Sequence, residues 1–165
     1  MALFSGDTKR LRELTAGVGR LKRGWQPRLM RVLAVDALAL TQECFESSSD
    51  PYGRPWEKLK ARTGQPLLDT GRLRNSLRAL GVQSKGFRVV TRVKYAALHN
   101  YGGTVTAKKA PYLRFKVAGR WVSKKSVTIP RRQFIPDTGK TPQAWAEQFE
   151  ETARAFIARE AAHVG

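Results

Sequence analysis

Hydrophobic positions along this chain change period several times, and each change marks an element. From about Pro27 to Phe45 the spacing is helical: Leu29, Leu33, Leu40 and Cys44 share one stripe, widened by Val32, Val35 and Leu38. Pro27 suits the first turn, where a missing N–H costs nothing. A stripe this wide predicts burial on more than one side, in a core or against another subunit. A turn-rich stretch, "SSSDPYGRPW", ends the helix and delivers Trp56, which is too large to leave in water.

In "PLLDTGRLRNSL", Asp69 or Thr70 is a candidate N-cap. Leu68 and Leu73 sit at staple positions, Leu73, Leu77 and Leu80 predict one helical face, and Gly81 a stop. The period then falls to two. Phe87, Val89, Val93 and Tyr95 alternate with Arg88, Arg92 and Lys94, a half-buried strand with a basic outer face. Lys85-Gly86 predicts a turn joining it to a shorter strand at 82–84. "YAALHNYGG" reads as a short helical turn closed by glycines. Leu113, Phe115 and Val117 alternate with Arg114 and Lys116. Ala118-Gly119 offers a tight turn, and "RWVSKKSVTI" returns as the second half of a long basic hairpin, about 112–129. "PRRQFIPDTGKTP" is an irregular connector. Thr141 and Pro142 open a last helix, 141–163, whose buried face carries Trp145, Phe149 and Phe156. A short helix is expected at 7–16, within an N-terminal arm over 1–24.

These elements predict an α+β fold: a small antiparallel sheet with a long basic hairpin, flanked by N-terminal and C-terminal helices. A length of 165 residues suits one domain with a core over 25–136.

Charge sharpens the picture. Lys and Arg total 31 against 13 acids, a net charge of +18. Residues 51–135 carry 20 basic side chains and only Glu57 and Asp69 as acids, whereas the residues from Pro136 on are net acidic. Such a cationic middle calls for nucleic acid, an acidic protein surface or a membrane nearby, or is a solvated basic face. The candidate contacts are Arg88, Arg92, Lys94, Lys108, Lys109, Arg114, Lys116, Arg120, Lys124, Lys125, Arg131 and Arg132. Tyr112, Phe115 and Trp121 lie among them, the mixture that a single-stranded nucleic-acid groove uses. No RNP, KH, zinc-finger or helix-turn-helix pattern accompanies them. Cys44 is the single cysteine, so no intrachain disulfide forms. The first residues show no signal-peptide pattern, and no apolar run approaches the ~20 residues of a membrane span.

Catalytic motifs fail on inspection. Asp-Thr-Gly occurs at Asp69 and again at Asp137, as in the paired loops of aspartic proteases, but Arg72 and Lys140 follow where a small residue is needed. "TGKT" at 138–141 has Phe134 where a phosphate-binding loop needs glycine. His99 and His163 have no metal-ligand partners at motif spacing, and Cys44 lies inside an apolar helix. The expectation is a protein that is not an enzyme and holds no cofactor or metal.

Four segments in order carry a resemblance: "FESSSDPYGRPWEKL", "PLLDTGRLRNSL", "VKYAALHNYGG" and "IPRRQFIP". Together they resemble the virion morphogenesis, or tail completion, proteins of Mu-like tailed phages, over residues 45–136. The resemblance implies a structural subunit of the virion neck or tail end, assembled in the host cytoplasm. Such subunits form a homo-oligomeric ring, usually sixfold, that caps the tail tube and joins it to the head. The implied partners are a neck connector, tail tube protein and, non-specifically, DNA in the lumen; no membrane is implied. The motif positions Trp56, Asp69, Gly71, Leu73, Tyr95, His99, Gly102, Gly103, Arg132 and Phe134 are then fold and interface determinants. Gln133 departs from the pattern, which usually has proline there, as does the long basic insert between Gly103 and Pro130. Two other readings stay open: a head-side connector, and a basic nucleic-acid-binding protein outside any virion.

Overall fold

The computed structural model describes residues 24–60 and 62–162. The expected helix at 7–16 and His163 lie outside the described residues. Helix α1 spans Trp25–Ser47, with Pro27 in its first turn, and buries Leu29, Met30, Leu33, Ala37, Cys44 and Phe45. It ends where Ser48 takes a left-handed conformation and its N–H returns to the Cys44 carbonyl. The Asp50 carboxylate then accepts the backbone N–H groups of Tyr52 and Arg54, both at 2.9 Å, and meets the Arg54 guanidinium at 2.7 Å. This closed turn returns the chain so that Trp56 stacks edge-on against Phe45, ring centres 5.7 Å apart.

A one-turn helix, α2 (Arg72–Asn75), follows, then β1 (Arg78–Gln83) and β2 (Gly86–Val90), which pair antiparallel. The long helix expected after Asp69 is therefore cut to one turn. Leu73 and Leu77 are buried as its pattern required, but the chain from Arg78 on pairs with β2 instead of continuing the helix. Leu80 lies on β1 and is half exposed, and Gly81 is a strand residue, not a helix stop. Likewise β2 ends at Val90, so Arg92 and Lys94 lie beyond the strand that Arg88 occupies.

Short helix α3 (Ala96–Tyr101) leads into β3 (Gly103–Thr106), then β4 (Leu113–Val117), β5 (Arg120–Lys124) and β6 (Ser126–Ile129). β4 pairs with β5, as the alternation predicted. The return strand does not stop there: β6 pairs with β3, from Thr106↔Ser126 to Gly103↔Ile129. The two ladders are nested, bridged by an Ala107 N–H to Lys125 carbonyl bond of 3.0 Å. The result is a ribbon longer than the expected 112–129 hairpin, with residues 107–112 bulging from its outgoing side. Its tip, Ala118 (φ 48°) and Gly119 (φ 80°), has both central residues left-handed, the primed turn that matches strand twist.

Helix α4 (Gln143–Ala162) closes the structure and packs on α1. Thr152 Oγ1 donates to the Asp36 carboxylate at 2.6 Å, and Arg28 meets Glu160 at 2.5 Å. Trp145 and Ala153 are buried, and Phe149 and Phe156 pack on the same cluster. The architecture is α+β: helices at either end of the described chain flank small antiparallel ladders. Among the described residues no helix is long and apolar enough to cross a membrane.

Candidate assembly surfaces

The quoted sequence motifs converge on one buried hub. Trp56 donates its indole N–H to the Gln133 carbonyl at 2.8 Å. Phe134 is fully buried, its ring 5.1 Å from Phe45. Asn100, from the centre of "LHNYGG", accepts the backbone N–H groups of Phe134 and Ile135, each at 3.0 Å, through one side-chain oxygen. The Arg132 N–H reaches the His99 carbonyl at 2.8 Å. Gly102 permits this approach, because a Cβ there would lie 3.0 Å from the Arg131 nitrogen. Gly103 next to it begins β3. Gln133, at the position where proline was expected, holds the segment another way. Its side chain donates to the Ile135 carbonyl at 2.8 Å and accepts from Arg131 at 2.6 Å.

Arg132 is not a surface cation. Its residue is 6% exposed, and its guanidinium donates to the Glu57 carbonyl at 3.0 Å and the Lys58 carbonyl at 3.4 Å. Burial pulls it below the ordinary guanidinium value, partly offset by Glu57. It lines a cavity of about 290 Å³ with Asp69, Leu73, Tyr95 and His99. Tyr95 and His99 meet edge-on, ring centres 5.7 Å apart. Burial, and then the nearby Arg132 charge, lowers the His99 pKa, so the ring is held neutral. Gly71 caps α2 with φ 69°.

The two Asp-Thr-Gly triplets serve separate neighbourhoods. Asp69 faces Arg62 at 3.8 Å, while Asp137 is bridged by Arg131 at 2.9 Å. Cys44 is buried and its thiol is pushed up to about 12, by desolvation first and then by Asp50 and Glu43. Among the described residues no cluster of metal-ligating side chains forms.

The remaining basic candidates gather mostly on the ribbon. Lys108, Lys109, Arg114, Lys116, Arg120, Lys124 and Lys125 are all exposed there. Arg88, Arg92, Lys94 and Arg131 are exposed elsewhere. One ribbon face holds Trp121, 64% exposed, with the Arg114 and Lys116 cations 5.5 and 5.2 Å from its ring centre. The other holds Leu113, Phe115, Val117 and Val122, half-buried against one another. Among the described residues no ribbon side chain joins the hydrophobic core. Sequence reasoning missed Asn100, β3 and the separation of the ribbon from the core. Helix α1 also leaves Val32 and Val35 exposed, although both lie on the widened apolar stripe.

The fold presents a buried hub with a basic ribbon on its outside. The family model for the phage virion morphogenesis family matches residues 7–155. The chain is also 33% identical over 142 residues to "Mu-like prophage FluMu G protein 2" of Haemophilus influenzae, covering 84% of this chain and 86% of that protein. No solved structure matches. The chain therefore belongs to the phage virion morphogenesis family, and its role lies in building phage particles.

Proposed function

We propose that this chain is a tail completion subunit: a non-enzymatic protein that assembles into a ring, caps the tail tube and joins tail to head at the virion neck. The observation that carries this reading is the ribbon, a large element that, among the described residues, joins no part of the hydrophobic core. A two-stranded ribbon is marginal alone in water, so its surface is complete only against a partner. The exposed Val32 and Val35 of α1 offer a second apolar contact. Six subunits at +18 each would concentrate roughly 100 positive charges, which needs acidic neighbours or DNA phosphates close by. Cations of this kind suit DNA in the lumen because phosphate attraction ignores sequence.

The test is a phage lacking the gene. The proposal predicts DNA-filled heads and separate tails that fail to join, with joining restored when purified protein is added. Emptied heads beside normally closed tails would place the subunit on the head side instead. The Arg114–Trp121–Lys116 stack favours a second reading, nucleic-acid binding outside the virion. Particles that mature normally without the protein would support that reading and overturn the first.

A further inference from the structure

We propose that the ribbon of one subunit seats in the groove between α1 and the start of α4 on the next subunit; this rests on the ring reading above. The groove has a volume of about 550 Å³ and opens beside Leu40, Cys44, Pro142 and Trp145. Among the described residues Glu43 and Asp50 line it, and no lysine or arginine does. Acidic character continues at the start of α4 with the exposed Glu147 and Glu151, while Glu150 between them is paired with Arg154 at 2.6 Å. Asp50 is engaged by Arg54, but Glu43 is exposed and makes no ion pair among the described residues.

The ribbon is the complement. Residues 103–129 hold seven cations and no carboxylate. Its apolar face, Leu113, Phe115, Val117 and Val122, matches a groove whose walls are largely apolar. It makes no substantial packing contact with α1 or α4 of its own chain. The return strand, 120–129, reaches roughly 30 Å at about 3.3 Å per residue, long enough to lie along a groove of a neighbouring copy. Ribbon against ribbon would set like charges together, whereas ribbon against groove pairs opposite ones. Because two different surfaces meet, the contact is head-to-tail, the kind that closes into rings.

Two variants test this. In the first, residues 107–125 are replaced by Asn-Gly, joining the paired Thr106 and Ser126 and keeping β3–β6. In the second, Glu43→Arg reverses the groove's exposed acid and Glu147→Arg the acid just beyond it on α4, while the ribbon stays intact. Sedimentation is measured for wild type, each variant and their equimolar mixture. The expected result is an oligomeric wild type, subunit affinity weakened on the order of 100-fold in each variant alone, and a one-to-one heterodimer in the mixture. Phe115→Ser with Lys116→Glu and Lys124→Glu serves if the shortened chain does not fold. Full-sized oligomers from the ribbon variant alone overturn the inference and leave the ring reading standing. So does a ribbon variant that loses only DNA binding, which would assign the ribbon to nucleic acid. A wild type that stays monomeric removes the ring reading itself, and this inference with it.

Discussion

The Trp56 indole nitrogen lies 2.8 Å from the Gln133 carbonyl oxygen, closing a loop of 77 residues onto the end of α1. The bond is buried, and the Trp56 ring packs on Phe45. Replacing Trp56 by Phe keeps most of the packing but strands the carbonyl, at a cost of about 1–2 kcal/mol. Trp56→Ala removes both and costs about 3–5 kcal/mol. Chemical denaturation of the three proteins checks the order.

Asn100 holds two backbone N–H groups with one oxygen. Asn100→Ala leaves both buried donors without an acceptor, so a loss of about 2–4 kcal/mol is expected. Asn100→Asp keeps an acceptor but buries a carboxyl group at a position 1% exposed, so its loss should be smaller at acidic pH, where the group is neutral, than at neutral pH. Thermal unfolding of both variants distinguishes lost acceptors from lost volume.

Much of the fold was legible in the sequence where the pattern was long and local. Helix α1, helix α4 and the β4–β5 pair follow from their periods alone. The segment after Asp69 was misread because Leu73, Leu77 and Leu80 fit a helix as well as they fit one turn followed by a strand. Pairing with β2, a tertiary effect, decides between them. Strand β3 has four residues and pairs with residues 20 or more positions away, so no local signal marks it.

The hub was legible as motifs but not as chemistry. Asn100 looks like one more polar residue until Phe134 and Ile135 arrive from 34 and 35 positions away. Arg132 read as a surface cation because a sequence shows its charge and not its burial.

His99 makes stability depend on pH in a definite direction. Its folded pKa lies below the ordinary value, so the unfolded chain takes up a proton first as the solution is acidified. Its contribution is intact above the unfolded value near 6.5 and is lost as pH falls through the folded one. His99→Gln should flatten that part of the curve. Unfolding temperatures of both proteins between pH 8 and pH 5 provide the check.

Cys44 should be chemically quiet in the folded protein. With its thiol pushed up to about 12 and its side chain buried, almost no thiolate meets solvent at neutral pH. Iodoacetamide labelling followed by mass spectrometry should be slow in native buffer and fast in guanidinium chloride.

The ribbon tip carries a removable strain. Ala118 holds φ 48°, a conformation that a Cβ disfavours. Ala118→Gly should steady the β4–β5 pair by about 1 kcal/mol. Amide exchange along β4 and β5 should slow while exchange in α1 stays unchanged, as expected for a ribbon whose side chains lie outside the described core.

The central claim, that this subunit works by closing a ring with copies of itself, is tested most directly by native mass spectrometry of the purified full-length chain over a range of concentrations. The account predicts one dominant closed assembly, six copies, that dissociates as salt screens its charge contacts. A monomer at every concentration and ionic strength contradicts it.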